Sequence, residues 1–454
     1  MKKVNIEADF DREVGVIKPL HAVNDVPSAY FCFGEAEKYI RYFVEAGVPY
    51  CRLHDICGRY GANVFVDVSN VFRNFDADEN DPENYDFTFT DKLLELLVKN
   101  GIKPFYRIGE TIENDFFIKR YRTHPPKDFV KWAKICEHII RHYNYGWANG
   151  YEYGIEYWEI WNEPDNASVP DKNQMWSGTP EQFYEMYSVA ASHLKRAFPE
   201  IKIGGYGSVG FYSIAQKRLD PTANAEEGAA WFYVKYFDDF IEYIKSRDYY
   251  VPLDFFTWHS YSDVEQNLIY ADYVRKKLDE NGFKATESNC SEWNPDVSGR
   301  CTLKDAASVA SNMLMWQNAP IDMAMYYNAR ISSDYAGWFD PLTCKPTKNF
   351  YAFKAFGRLY ALKKQVFCKT DGKDVFAVGA TDGEEVALMI SEYSGEDREL
   401  SVGSLDGLKD VKAFVIDENS SFEPSKDLEN DLKVLKKYSV ILITAKKKRD
   451  SFRV

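Results

Sequence analysis

A (β/α)8 TIM barrel carrying a small C-terminal all-β, sandwich-like domain is the fold class this chain predicts, and three observations predict it. Short apolar or β-branched runs alternate eight times with longer stretches of helical spacing between residues 14 and 362. After residue 363 the helical period fades into short strands separated by Asp-Gly and Ser-Gly turns. The length, 454 residues, exceeds what one compact core usually holds.

The elements follow in order. Residues 14–21 predict the first strand and 35–46 its helix, stopped by Gly47. Residues 50–55 form the second strand. Its helix is 91–99, capped by Thr90 and followed by Gly101. A third strand at 103–108 precedes a helix at 127–143, which starts after Pro125-Pro126. The remaining units pair strand 156–162 with helix 180–197, 201–206 with 227–245, 254–261 with 264–281, 286–292 with 304–317, and 321–328 with 349–362. Loops after units two, four and eight are long, and in a barrel those loops build the face that carries function. Strands at 374–380, 385–392, 399–402, 412–417 and 438–445 make the accessory domain. The barrel domain is thus 14–362. The accessory domain is 363–446 together with 1–13, where residues 2–10 can add a strand, and 447–454 is a basic tail.

Composition narrows the function. Apolar residues make up 45% of the chain and aromatic ones 16%, a high share that suits either core filling or stacking on sugar rings. The formal net charge of −14 argues against binding a nucleic-acid backbone or an anionic membrane. Lys446-Lys-Lys-Arg449, the one basic run, reads as a solvated tail. No apolar stretch follows Lys2 and Lys3, and none is long enough to span a bilayer. Cysteines at 32, 51, 57, 136, 290, 301, 344 and 368 include no Cys-x-x-Cys pair. They read as reduced thiols, so a cytoplasmic location is expected. Gly204-Gly-Tyr-Gly207 lies at a strand end, where close packing explains it better than phosphate binding. No zinc, calcium or phosphate-loop motif and no nucleophilic serine elbow occurs, so neither metal nor cofactor is expected. Homo-oligomerisation stays open.

Two motifs carry chemistry. Tyr157-Trp-Glu-Ile-Trp-Asn-Glu-Pro-Asp165 ends the fourth strand, with Trp158, Ile160 and Asn162 alternating onto one face. Pro164 stops strand pairing just past Glu163, which leaves an acid beside an amide at the barrel mouth. Cys290-Ser-Glu-Trp-Asn294 ends the seventh strand with Glu292. Strands four and seven face each other across the mouth, so the two carboxylates can flank one glycosidic bond. Arg52 and His54 alternate on strand two, and His259 and Tyr261 on strand six. Tyr327 ends strand eight, with Trp338 and Phe339 in the loop beyond, and His21 lies on strand one. These residues offer the polar groups and apolar wall that a hydroxyl-rich ligand needs. Two other readings are a sugar-binding barrel without catalysis and a metal-dependent barrel using His54, Asp55 and His259.

These stretches resemble glycoside hydrolase family 39, the β-xylosidases and α-L-iduronidases among the barrels with acids on strands four and seven. The resemblance rests on Arg52-Leu-His-Asp55, Tyr85-Asp-Phe87 with Asp91, Gly101-Ile-Lys-Pro104, Trp158 to Pro164, Asp254-Phe-Phe-Thr-Trp-His-Ser-Tyr261, Ser291-Glu-Trp-Asn294, and Trp338-Phe-Asp340 with Pro346 and Tyr351-Ala-Phe353. It implies Glu163 as acid/base, Glu292 as nucleophile, Asn162 bonding the 2-hydroxyl, and His54, His259, Tyr261 and Trp338 around the terminal sugar. Trp293, Tyr327, Arg52 and His21 complete the candidate substrate-binding set. It also implies a β-sandwich after the barrel. The expected activity is retaining exo-hydrolysis of short oligosaccharides, with xyloside first and arabinopyranoside, glucoside, galactoside or iduronide as alternatives. Arg330 is a candidate partner for an iduronide carboxylate. One departure from the family pattern is the polar lead Glu287-Ser-Asn-Cys290 into strand seven.

Overall fold

The structure is a computed structural model that describes residues 1–26, 33–54, 66–111, 122–331, 335–403 and 405–448. Asp55, Cys32, Cys57 and the end of the basic tail from Arg449 lie outside these described residues. The chain opens with a long strand, β1 (Lys2–Val16), and then builds a closed parallel barrel. Its eight strands are β2 (Ala22–Asn24), β3 (Tyr50–Arg52), β4 (Lys103–Ile108), β5 (Tyr157–Ile160), β6 (Lys202–Ser208), β7 (Phe255–Ser260), β8 (Glu287–Trp293) and β9 (Met323–Tyr326). The barrel closes where β2 pairs with β9.

Strand one of the barrel differs from the sequence expectation. Residues 14–16 finish β1, which belongs to the accessory sheet, and the barrel strand is the three-residue β2. The apolar run at residues 14–16, which ends β1, carries the strand signal that the three-residue β2 just beyond it does not. The second helix also starts earlier than expected, at Thr88, where Asp86 Oδ1 accepts the Thr88 N–H at 3.1 Å; Thr90 is buried inside the helix and is not its cap.

Eight further strands complete the accessory domain: β10 (Lys364–Thr370), β11 (Val375–Thr381), β12 (Glu385–Glu392), β13 (Arg398–Val402), β14 (Leu408–Ile416), β15 (Ser421–Pro424), β16 (Val434–Leu435) and β17 (Val440–Lys447). They join β1 in one nine-stranded sheet ordered β15-β14-β17-β12-β11-β10-β1-β13-β16. Val4, Ile6, Leu388, Leu400, Leu435 and Ile443 share one apolar cluster, so the sheet curls around its own core rather than forming two separate layers. Its other face packs Val378, Met389 and Leu442 against the barrel's helices. Ser391 Oγ lies 2.9 Å from Ser311 Oγ on helix Leu303–Trp316. Lys447 is not part of a loose tail: its ammonium donates to Phe10 O and Asp11 Oδ1, both at 2.7 Å.

Inside the barrel, period two sorts the side chains. Tyr50, Phe105, Tyr157 and Phe255 form an aromatic plug at the N-terminal end, with Met323 and Met325. Their outward neighbours Cys51, Tyr106, Trp158 and Phe256 join the helix layer. Further up the same strands the inward positions turn polar, with Arg52, Arg107 and Glu159 all essentially inaccessible to solvent. Glu287 explains part of the polar lead into β8. It closes the bottom of the barrel, accepting from Lys202 Nζ at 2.6 Å and Tyr157 Oη at 2.9 Å. Gly204 is forced by packing: a Cβ there would stand 2.0 Å from the Phe255 carbonyl oxygen on the neighbouring strand. Gly204→Ala should therefore destabilise the fold by about 2 kcal/mol or more. Urea unfolding checks this, and an unchanged midpoint would mean β6 and β7 are not packed this closely.

Candidate active site

Two backbone devices aim the acids. β5 ends at Ile160, and Trp161 and Glu163 both adopt left-handed backbone, with φ of +73° and +45°. Such angles are rare for bulky residues and concentrate where function needs a particular aim. They break the alternation expected from sequence: Trp158 and Ile160 face the helices, yet Asn162 and Glu163 both reach the mouth. The Glu163 N–H is held by Tyr206 O at 3.1 Å and Gly207 O at 2.9 Å.

The second device is a bulge in β8. Trp258 pairs with Cys290 and His259 with Glu292, so β8 carries one extra residue, Ser291, against β7. Simple alternation from Glu287 and Asn289 would turn Ser291 inward and Glu292 outward. The bulge moves Glu292 into the barrel and sends Trp293 into the helix layer.

The centre of the site is the Arg52 guanidinium. Nε donates to Glu159 Oε2 at 2.6 Å, Nη1 to Glu292 Oε1 at 2.7 Å and to Asn24 Oδ1 at 3.2 Å, and Nη2 to Asn162 Oδ1 at 2.7 Å. Burial works against its charge, but Glu159 and Glu292 together outweigh burial and hold it protonated. Asn24 is anchored in turn, donating to Ser291 O at 2.7 Å and Met325 O at 3.2 Å. Since Arg52 occupies the Asn162 oxygen, the amide is oriented to offer its N–H donors. Gly207 makes room for this: at φ +63°, a Cβ on it would come within 3.2 Å of Asn162, Arg52 and His259.

Glu292 also accepts from Tyr261 Oη at 2.8 Å, and His54 Nε2 lies 3.7 Å from its Oε1. Burial, then Glu292, keeps the Tyr261 phenol protonated as a donor. Burial, reinforced by Arg52 and Arg107, drives His54 well below its ordinary value, so it is a neutral imidazole. Across the mouth, Glu163 Oε1 lies 2.7 Å from His259 Nδ1, and its Oε2 accepts from Asn166 Nδ2 at 2.9 Å. One oxygen of each glutamate and a ring nitrogen of His259 all lie within 4.8 Å of one another. A retaining pair stands roughly 5–5.5 Å apart and an inverting pair wider; the close approach of the two acids is that of the nearer class. The same three residues are the only described cluster with metal-ligand spacing. The metal-dependent reading uses His54 and His259 with Asp55, which lies outside the described residues.

The structure therefore gathers Glu163, Glu292, Arg52, His54, Asn162, His259 and Tyr261 into one constellation. Tyr327 stands beside it, its ring centroid 6.3 Å from that of Tyr261, and Tyr335 completes an aromatic trio. Three candidates lie elsewhere. His21 sits before β2 at the opposite end of the barrel, bonded to Gly47 O at 2.9 Å and packed on Phe356 and Tyr360. Trp293 is fully buried among Trp316, Tyr326 and Phe353 because of the bulge's change of phase. Trp338 is fully buried against Phe43, Phe350 and Phe353, with no ring face open to a ligand. Sequence reading missed Asn24, Glu159, Asn166, Tyr335 and Asp165. Glu159 alone carried a signal, being an acid at the inward position two residues past Tyr157.

The chain is similar to known proteins in both sequence and structure. Residues 36–320 match the family model of glycosyl hydrolases family 39. A β-xylosidase of Caldicellulosiruptor saccharolyticus is 23% identical over 387 residues, covering 77% of this chain and 70% of that protein. Among solved structures, a glucosidase from Croceicoccus marinus superposes with a TM-score of 0.75 at 21% identity, covering 99% of this chain and 100% of the other. A monomeric β-xylosidase from Caulobacter crescentus gives 0.68 at 17% identity, covering 98% and 99%.

Asp165 yields a prediction about pH. It is fully buried, accepting from Ser208 Oγ at 2.7 Å and Val209 N at 3.2 Å, and burial pushes its carboxyl up to about 8. The folded chain then keeps a proton that the unfolded chain sheds near pH 4. The stability from this group is complete below about pH 4 and is lost as pH rises through about 8. Asp165→Asn should flatten the decline in urea-unfolding free energy over that window; an unchanged slope would contradict the assignment.

Proposed function

Because this chain belongs to glycosyl hydrolases family 39, and is a glycosidase on that footing, we propose that it is a retaining exo-glycosidase releasing terminal sugars from short oligosaccharides, with β-xylosides as substrates. The observation that carries the proposal is the close approach of Glu163 and Glu292 from strands four and seven of the barrel. Glu292, ionised and held by Arg52 and Tyr261, attacks the anomeric carbon. Glu163 gives its proton to the departing oxygen, and then, as a carboxylate, takes one from water. Loss of the Glu292 charge in the covalent intermediate suits that change from acid to base. Asn162 donates to the 2-hydroxyl, where contacts strengthen in the transition state. His259 fixes the rotamer of Glu163, and neutral His54 faces the sugar without adding charge.

The xyloside assignment draws on the β-xylosidases among the relatives. A second reading of the sugar, glucoside, is favoured by the superposition on a structure described as a glucosidase. We place the enzyme in the cytoplasm, acting on imported oligosaccharides, on the strength of its cysteines: among the described residues, Cys51, Cys136, Cys290, Cys301, Cys344 and Cys368 are all unpaired thiols. No described helix is long and apolar enough to cross a membrane.

A panel of nitrophenyl xyloside, glucoside, galactoside and arabinopyranoside ranks the substrates; saturable binding with no release from any of them would instead favour a sugar-binding barrel. Glu292→Ala should lower turnover by at least about 10⁴-fold and be partly rescued by azide. Wild-type turnover in that variant would remove Glu292 from the mechanism.

A further inference from the structure

We propose that Glu159 is a positioning residue for the double displacement: a fixed counter-charge that keeps Arg52 balanced when Glu292 becomes an ester. The inference rests on the retaining mechanism proposed above. Glu159 points into the barrel one layer below the acids and is fully buried, out of reach of a sugar. Its Oε2 holds Arg52 Nε at 2.6 Å, and its Oε1 is buried with no hydrogen-bond partner. A neutral amide could accept that single N–H in the same geometry. A buried carboxylate with one oxygen left unbonded is costly, so the role of this residue is its charge.

The charges explain why. In the resting enzyme Arg52 faces two carboxylates, Glu159 and Glu292, together with the neutral amides of Asn24 and Asn162. In the first step a Glu292 oxygen bonds to the anomeric carbon as the glycosidic C–O bond breaks. The electron pair leaves on the aglycone oxygen, which takes the Glu163 proton. Glu292 is now a neutral ester, and Arg52 and Glu159 remain as a balanced buried pair. Without the Glu159 charge the balance inverts. The resting site would hold Arg52 and Glu292 as a closed ion pair, dulling the nucleophile, and the intermediate would hold an uncompensated buried guanidinium. Water then attacks the anomeric carbon, gives a proton to Glu163 and restores the Glu292 carboxylate. That second step relieves the imbalance, so losing the charge slows the first step selectively.

The test uses the full chain and two probes, the 2,4-dinitrophenyl 2-deoxy-2-fluoro derivatives of β-xyloside and β-glucoside. Wild-type enzyme should form a one-to-one covalent adduct at Glu292, seen by mass spectrometry. In Glu159→Gln the rate of inactivation should fall about 100-fold, while the isolated adduct regains activity at the wild-type rate or faster. Equal slowing of both steps would reveal a merely structural role and overturn the inference, as would unchanged inactivation. Should circular dichroism show Glu159→Gln unfolded, Glu159→Asp carries the same comparison, with inactivation slowed by a smaller factor and reactivation not slowed; both slowed alike would again overturn it. Absence of any adduct in the wild-type enzyme with both probes would instead sink the retaining mechanism itself.

Discussion

The Arg52 guanidinium is the contact on which the candidate site depends. It donates four of its five N–H groups, to side chains on β2, β5 and β8 and to Asn162 just beyond β5. One cation thereby fixes Glu292, orients the Asn162 amide and links strands that are far apart in sequence. A buried arginine survives only if its donors and charge are both matched. The polar upper layer of the barrel matches them, above the aromatic plug that fills the barrel's other end.

The acids reach Arg52 and the mouth through irregular backbone. A regular β5 would have ended its alternation with only one of Asn162 and Glu163 facing inward; the left-handed residues Trp161 and Glu163 present both. A regular β8 would have put Ser291 inward, and the bulge presents Glu292. Gly207 is the third accommodation, since β6 must pass close enough to hold the Glu163 N–H without crowding Asn162 and His259. Barrels tolerate such irregularity at strand ends because the helix layer, here packed with Trp258, Trp293, Trp316 and Trp338, holds the strands in register.

These same features decide what could be read from the sequence. Seven of the eight barrel strands were legible because their apolar runs are followed by helical patterns. β2 was not, because the apolar run at residues 14–16 that ends β1 lies just before it and reads as the strand, and β1 was cut short because its burial alternates only from Val4 to Phe10 and its last six residues are exposed. β10, β15 and β16 were missed, being mixed in polarity or very short. In the candidate site the two glutamates stood out through Pro164 and the chain's period. Trp293 reads as a mouth residue because a bulge leaves no mark in composition, and the resemblance places Trp338 there although an aromatic residue in a long loop reads equally as platform or core. Asn24 acts through contacts made only once the barrel closes, which no local pattern encodes.

Glu163 and Glu292 are proposed to work as a retaining pair, and the stereochemistry of the first-formed product tests that most directly. Proton NMR during the first minutes of hydrolysis of an aryl β-xyloside or β-glucoside should show the β-anomer of the free sugar first, with the α-anomer growing in only by mutarotation. Initial appearance of the α-anomer would mean single displacement by water and would contradict the assignment of Glu292 as nucleophile.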